Sequence, residues 1–313
     1  MIHAFKKTII AGNILVMLVA FSERAQAQLE PQFTQYMFNE MFINPAYAGS
    51  RDFMSMNLVY RNQWVGIDGA PTTQNFTAHT PLRNERFGVG LSVMNEEIGV
   101  TRDLSVFGNY AYRMPVSFGF VSLGLSAGII HHTERLNDIN TNEDNDNSFV
   151  GTPQFNLPNA GFGAYVNGDR FYAGFSIPRL LENNIDPLKN KSTNGINTDY
   201  WHYYITGGYV IPVNENVRMK ATTMIKAVSG APLIVDIGAH ALFHEMFWIG
   251  ANYRTGDAVA AVAQFQINNQ LRMGYSYDFT TTELKNYSSG THEITLGYDF
   301  SFDKKRVVTP RYF

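Results

Sequence analysis

The sequence contains no cysteine. That absence excludes a disulfide framework, thiolate catalysis and any thiolate metal site. Beyond its N-terminal region the chain also lacks an apolar run of the roughly twenty residues that a membrane-spanning helix needs. Charged residues amount to 16%, well below the average of about 25%. With a net charge of −3 and no basic stripe, nothing in the chain suits nucleic acid. Stability has to come from packing and hydrogen bonding, and any passage through a bilayer has to be made by strands.

What is present points the same way. Aromatic residues reach 14%, alongside 26 Gly and 17 Tyr. Such a composition suits strands with one apolar face, one face of small and polar residues, and aromatic ends, as in the outer membrane. The N-terminus reads as a secretory signal over residues 1–27: Lys6 and Lys7, an apolar region over 8–21, then Ala25, Gln26 and Ala27 before a cleavage point. The apolar region is too short to span a bilayer. Gln28 becomes the first mature residue, and with no cysteine after the signal there is no lipoprotein anchor.

The period-two pattern is explicit in several segments. Ile294, Leu296, Tyr298, Phe300 and Phe302 alternate with Glu293, Thr295, Gly297, Asp299 and Ser301. Leu271, Met273, Tyr275, Tyr277 and Phe279 alternate with Arg272, Gly274, Ser276 and Asp278, and Met54, Met56, Leu58 and Tyr60 with Ser55, Asn57, Val59 and Arg61. One apolar and one polar face per strand means two different solvents. Strands are expected near 53–61, 72–80, 87–95, 102–114, 118–131, 157–167, 170–177, 200–211, 216–227, 232–242, 247–254, 257–267, 270–279 and 291–302. The fold class is therefore all-β, a single transmembrane antiparallel β-barrel of about 14 strands over 53–302. Residues 303–313 form a periplasmic C-terminal tail.

The connections agree. With both ends of the barrel in the periplasm, every even-numbered connection is short, and the long ones near 62–71, 132–156, 178–199 and 280–290 all lie outside. A helical turn is expected at 179–183. An open sheet edge is not tolerated in lipid, so the first and last strands must pair. About eight strands already fill themselves with side chains, so the lumen of a fourteen-stranded barrel needs something more. Residues 28–52, a pre-barrel segment dense in Phe33, Tyr36, Phe38, Phe42 and Tyr47, fit no strand or helix pattern. They are either an ordinary leader into the first strand, a plug, or a periplasmic dock.

Side-chain chemistry offers few sites. Asp138, Glu143, Asp144 and Asp146 are dense enough in oxygen to suggest Ca²⁺, but the EF-hand spacing is absent and a solvated loop is the plainer reading. His131 and His132 point to opposite faces and cannot ligate together, while His240, His244 and Glu245 lack a common face. Ser288, Ser289, His292 and Glu293 lie close in sequence without a nucleophile elbow. No catalytic residue, metal or cofactor is expected. Strand parity turns Arg61, Arg113, Arg218, Lys220, Lys226 and Arg272 inward with Asp103, Asp236, Asp278, Glu293 and Asp299. Mixed signs favour neutralising pairs over a selective pore, which would carry a ring of one sign.

A resemblance joins these observations. PQFTQYMFNEMFINPAYAGS (31–50), YRNQWVGIDGAPTTQNF (60–76), FGVGLSVMNEEIG (87–99) and the terminal TPRYF (309–313) occur together and in order. In them the chain resembles the PorP/SprF family of type IX secretion membrane proteins of the Bacteroidetes. The resemblance spans essentially the mature chain, with one departure: Glu40 stands where the motif implies proline. It implies a non-enzymatic outer-membrane barrel of the type IX secretion or gliding system that binds and anchors, or helps export, a secreted cargo protein carrying a C-terminal sorting domain. It further implies contacts with secretion or gliding components in the periplasm. Rim aromatics Trp64, Phe149, Phe155, Tyr200 and Trp201 are either partner anchors or an interfacial girdle. The competing class is an outer-membrane channel, such as a fatty-acid-transporter-like barrel with an N-terminal plug, and an outer-membrane lipid hydrolase is a distant third.

Overall fold

Alternating outward side chains such as Leu58, Tyr60, Phe76, Leu125, Ile205 and Tyr275 stay exposed, while the residues between them are buried. This is the pattern of a sheet closed around its own polar face. The computed structural model describes residues 30–83, 85–138, 151–186 and 191–300. The strands are β1 (Met54–Asn62), β2 (Thr72–Pro81), β3 (Phe87–Ile98), β4 (Thr101–Val116), β5 (Gly119–Glu134), β6 (Gln154–Gly168) and β7 (Phe171–Ile177). There follow β8 (Leu181–Asp186), β9 (Lys191–Ile196), β10 (Tyr203–Pro212), β11 (Val217–Ala227), β12 (Ile234–Phe243), β13 (Phe247–Arg254), β14 (Ala258–Gln266), β15 (Leu271–Thr280) and β16 (Thr291–Phe300).

Fourteen of these form a closed barrel in sequence order, with β1 pairing β16 antiparallel and β7 pairing β10. Closure sets Arg61 opposite Glu293 and Tyr60 opposite Ile294, so polar and apolar faces match across the seam. Connections at one end run from two to five residues, whereas the other carries the long segments 63–71, 135–153, 178–202 and 281–290. Short turns face the periplasm and long loops the outside in barrels of this kind.

Two expectations are corrected. Residues 179–183 are not helical: β8 and β9 form a separate two-stranded hairpin. The reason is local bonding. Asn159 Oδ1 on β6 accepts the Leu180 and Leu181 amides at 3.1 Å each, and Trp201 Nε1 donates to the Leu180 carbonyl at 2.9 Å. These bonds hold the chain extended. The strands expected at 102–114 and 118–131 run further, as the sixteen-residue β4 and β5, paired with each other from Thr101 opposite Glu134 to Val116 opposite Gly119. The signal region 1–27, Phe149, three carboxylates of the acidic loop (Glu143, Asp144, Asp146) and the tail 303–313 lie outside the described residues.

Candidate functional site

Residues 30–51 lie inside the wall. Phe33, Tyr36, Met37, Met41, Ala46 and Tyr47 are each at most 2% exposed, although this stretch contains only two three-residue 3-10 turns. Its path is set by the residue types. In NPAYAGS, the Asn44 side chain accepts the Ala46 amide at 3.0 Å and donates to the Ala164 carbonyl of β6 at 3.0 Å, with Pro45 opening the turn. Tyr47 packs edge-on against His79 and Tyr165 at 5.2 and 5.5 Å. Gly49 turns at φ 72°, and its amide donates to His79 at 3.1 Å. The wall answers with Gly124, where a Cβ would collide with the Ala46 backbone. Small residues face each other because two backbones meet there.

Polar contacts tie the segment to the wall along the whole length of the barrel. At the long-loop end, Glu30 pairs with Arg179 at 3.0 Å, and its carbonyl accepts from Lys226 at 3.2 Å. Next, the Glu293 carboxylate accepts the Thr34 and Gln35 amides at 2.8 and 2.9 Å and binds Arg61 at 3.0 Å. Arg61 also reaches Asp278 at 2.9 Å, and Arg254 pairs with Asp236 at 3.2 Å. At mid-height, Lys220 donates to the Met37 carbonyl at 2.8 Å and sits 5.4 Å from the Phe38 ring. At the short-turn end, Asp299 is shared by Arg51 (3.2 Å) and Arg272 (2.5 Å). The segment expected on the periplasmic side thus runs from the outer mouth, at Glu30, down to the base of β1.

Glu40 is the odd residue of this run. It is fully buried, accepts from Thr206 at 2.7 Å, and has Lys220 and Tyr172 nearby. Glu40→Ala leaves the buried Thr206 hydroxyl without its acceptor and should lower the unfolding free energy of the detergent-folded barrel by about 1–3 kcal/mol in a urea titration; an unchanged midpoint would mean that this bond does not hold the segment to β10.

The other expected site residues scatter. Arg113 is inward and buried beside the Phe120 ring, while Arg218 lies at the short-turn rim, bonded to Glu245 at 2.6 Å. His240 is buried near Phe38, whereas His244 and Glu245 form the β12–β13 turn with φ of 50° and 57°. His292 bonds Tyr275 at 2.8 Å, and Glu293 faces inward; no bond among the described residues joins Ser288 or Ser289 to His292. Asp138 pairs with Arg135 at 3.6 Å. Of the aromatics, Trp64 is half-buried in the first long loop, and Tyr200 and Trp201 line a cavity at the outer mouth. Phe155 is corrected: it is 5% exposed and packs inward with Ile130 and Leu157, so it offers no partner a surface.

Comparison places this geometry among known proteins. A family model described as the type IX secretion system membrane protein PorP/SprF matches residues 25–298. No curated protein sequence matches. Among solved structures, the CymD monoaromatic hydrocarbon channel aligns with a TM-score of 0.50 at 11% identity, covering 88% of this chain and 94% of that one. The Acinetobacter baumannii outer membrane protein aligns with a TM-score of 0.47 at 9% identity, over 80% of this chain and 100% of that one. A Pseudomonas aeruginosa FadL homologue gives 0.45 at 12% identity, over 88% and 96%. At these identities the likeness is one of fold, that of an outer-membrane barrel.

Proposed function

This chain belongs to the PorP/SprF family of type IX secretion system membrane proteins, and from that premise we propose that it is a non-catalytic anchor whose lumen is closed by its own residues 30–51. In this reading the outer loops bind a secreted cargo protein with a C-terminal sorting domain and hold it at the surface or help its export. The short-turn end faces secretion or gliding components in the periplasm. Residues 1–27 serve as the export signal, and 303–313 as a periplasmic tail.

The observation that carries the reading is the bonding of residues 30–51 to the inner wall at both ends and in the middle. A wide barrel whose lumen is crossed by paired charges and fully buried aromatics has its working surface at its ends. A channel needs a continuous wet path, and the two-sign pairing of Arg61, Asp278 and Glu293 with the segment weighs against one. The long loops give the outer end both area and aromatic residues, among them Trp64, Tyr200 and Trp201.

The test is a pull-down from native outer membranes with partners identified by mass, paired with a strain lacking this chain. Copurification of a large secreted protein, and its loss from the surface of the deletion strain, is the expected result. Unchanged secretion and display of every surface protein in that strain would sink the proposal.

A further inference from the structure

We propose that the outer vestibule beneath the β8–β9 hairpin is a binding site for an organic cation, an ammonium or guanidinium group on a slender chain. The vestibule is a cavity of about 240 Å³ lined by four carboxylates, Glu30, Glu96, Asp103 and Glu182, and by Tyr200 and Trp201. Arg179, the lysine- or arginine-type cation in its lining, is already engaged by Glu30 at 3.0 Å.

The carboxylates are placed by the fold. Glu96 on β3 and Asp103 on β4 stand directly opposite in register, both on the inner face. Like charges in that position repel, with Cβ atoms about 5 Å apart. Asp103 is relieved by His132, bonded to it at 2.5 Å and to Glu134 at 3.2 Å. Glu96 is not. It is 9% exposed, lines the cavity, and has no hydrogen bond or ion pair with any described residue. The two cations near enough to offset its burial, Arg179 and Lys226, are each bonded to Glu30 instead, so its desolvation cost is met only at a distance.

A second, independent observation lies on the facing wall. His202 is 6% exposed, lines the same cavity, and its Nδ1 has no partner among the described residues. An imidazole with an unsatisfied nitrogen, itself buried behind the surface, thus lines the same space as the unbonded carboxylate. A primary ammonium, with three donors, can bond the carboxylate and, once the imidazole ring turns, its free nitrogen as well.

The size and lining decide the class of cation. No group of three His, Asp or Glu among the described residues is arranged to hold a metal ion. The cavity takes several non-hydrogen atoms, and the Tyr200 and Trp201 rings give an alkyl chain an apolar wall and a cation a π face. The group can arrive on a free amine from the medium or on a lysine or arginine side chain of a surface partner.

Titration calorimetry on the full-length barrel in detergent micelles tests this. The probes are 1,5-diaminopentane and the capped peptide acetyl-Gly-Lys-Gly-amide, with pentan-1-ol and CaCl₂ as controls. Saturable binding of at least one ammonium probe is expected, with none of pentan-1-ol. Tighter diamine binding assigns the site to free amines, and tighter peptide binding assigns it to a partner's lysine. Glu96→Gln should weaken the ammonium probes by about 30-fold or more. It should also raise the unfolding midpoint of the empty barrel, since it removes a buried charge that stands beside Glu30 and Asp103 without a direct ion pair. Absence of saturable ammonium binding, binding unchanged in Glu96→Gln, or Ca²⁺ binding in place of the amines would each overturn the proposal.

Discussion

Glu293→Ala lowers the unfolding free energy of the detergent-folded barrel by about 3–5 kcal/mol. This side chain has no solvent exposure and three partners: the Thr34 amide at 2.8 Å, the Gln35 amide at 2.9 Å and Arg61 at 3.0 Å. Alanine leaves two backbone donors buried without an acceptor and strips Arg61 of one of its two carboxylates, the other being Asp278 at 2.9 Å. Orphaned buried donors cost about 1–3 kcal/mol each, and a broken buried ion pair costs comparably more. Glu293→Gln keeps an oxygen for one amide but sets its NH₂ against another donor, so its effect falls between. Glu283→Ala, at an exposed position in the last long loop, should stay within about 0.5 kcal/mol. Urea titration followed by tryptophan fluorescence reads all three. A loss below about 1 kcal/mol for Glu293→Ala would mean that residues 34 and 35 are not held by this carboxylate.

The barrel itself was legible because each strand carries its two solvents in its own sequence. Met54 to Arg61 and Leu271 to Phe279 read as inner and outer faces residue by residue, and the structure keeps those faces. Inward charges followed from the same parity. Their partners did not, because Arg61 and Glu293 meet only when the first and last strands close the sheet. The route of residues 30–51 was hidden for a similar reason. Thr34 and Glu293, or Glu30 and Lys226, are brought together by closure and leave no local period.

Strand ends were the other blind spot. Ending the third strand at residue 95 removed Glu96 from the inner face, and starting the sixth at 157 took Phe155 for a rim residue. Both share the inward parity of their strands, Glu96 with Met94 and Phe155 with Leu157. Continuing the alternation two residues further would have found them. The β8–β9 hairpin had no such signal: it is mostly polar, with only Leu181, Ile185 and Ile196 apolar, and is set by Asn159 and Trp201, which lie outside it.

The second large effect is on permeability. A fourteen-stranded barrel is wider than its wall side chains can fill, and on the proposed reading the segment carrying Phe33, Tyr36, Phe38 and Tyr47 is what seals it. Deleting residues 31–44 removes Phe33, Tyr36, Phe38 and Phe42 and the Thr34 and Gln35 contacts while leaving Tyr47 and the approach to β1. Arg61 and Arg254 can still both pair with Asp278 across the wall. Such a barrel should conduct ions stably, with steps that persist at low voltage.

The decisive measurement is the single-channel conductance of the unaltered barrel in a planar bilayer. The account predicts insertion without an open conducting level, and stable conductance after residues 31–44 are deleted. Stable, ohmic conductance from the unaltered barrel would contradict it, because residues 30–51 would then not close the lumen and the protein would be a channel.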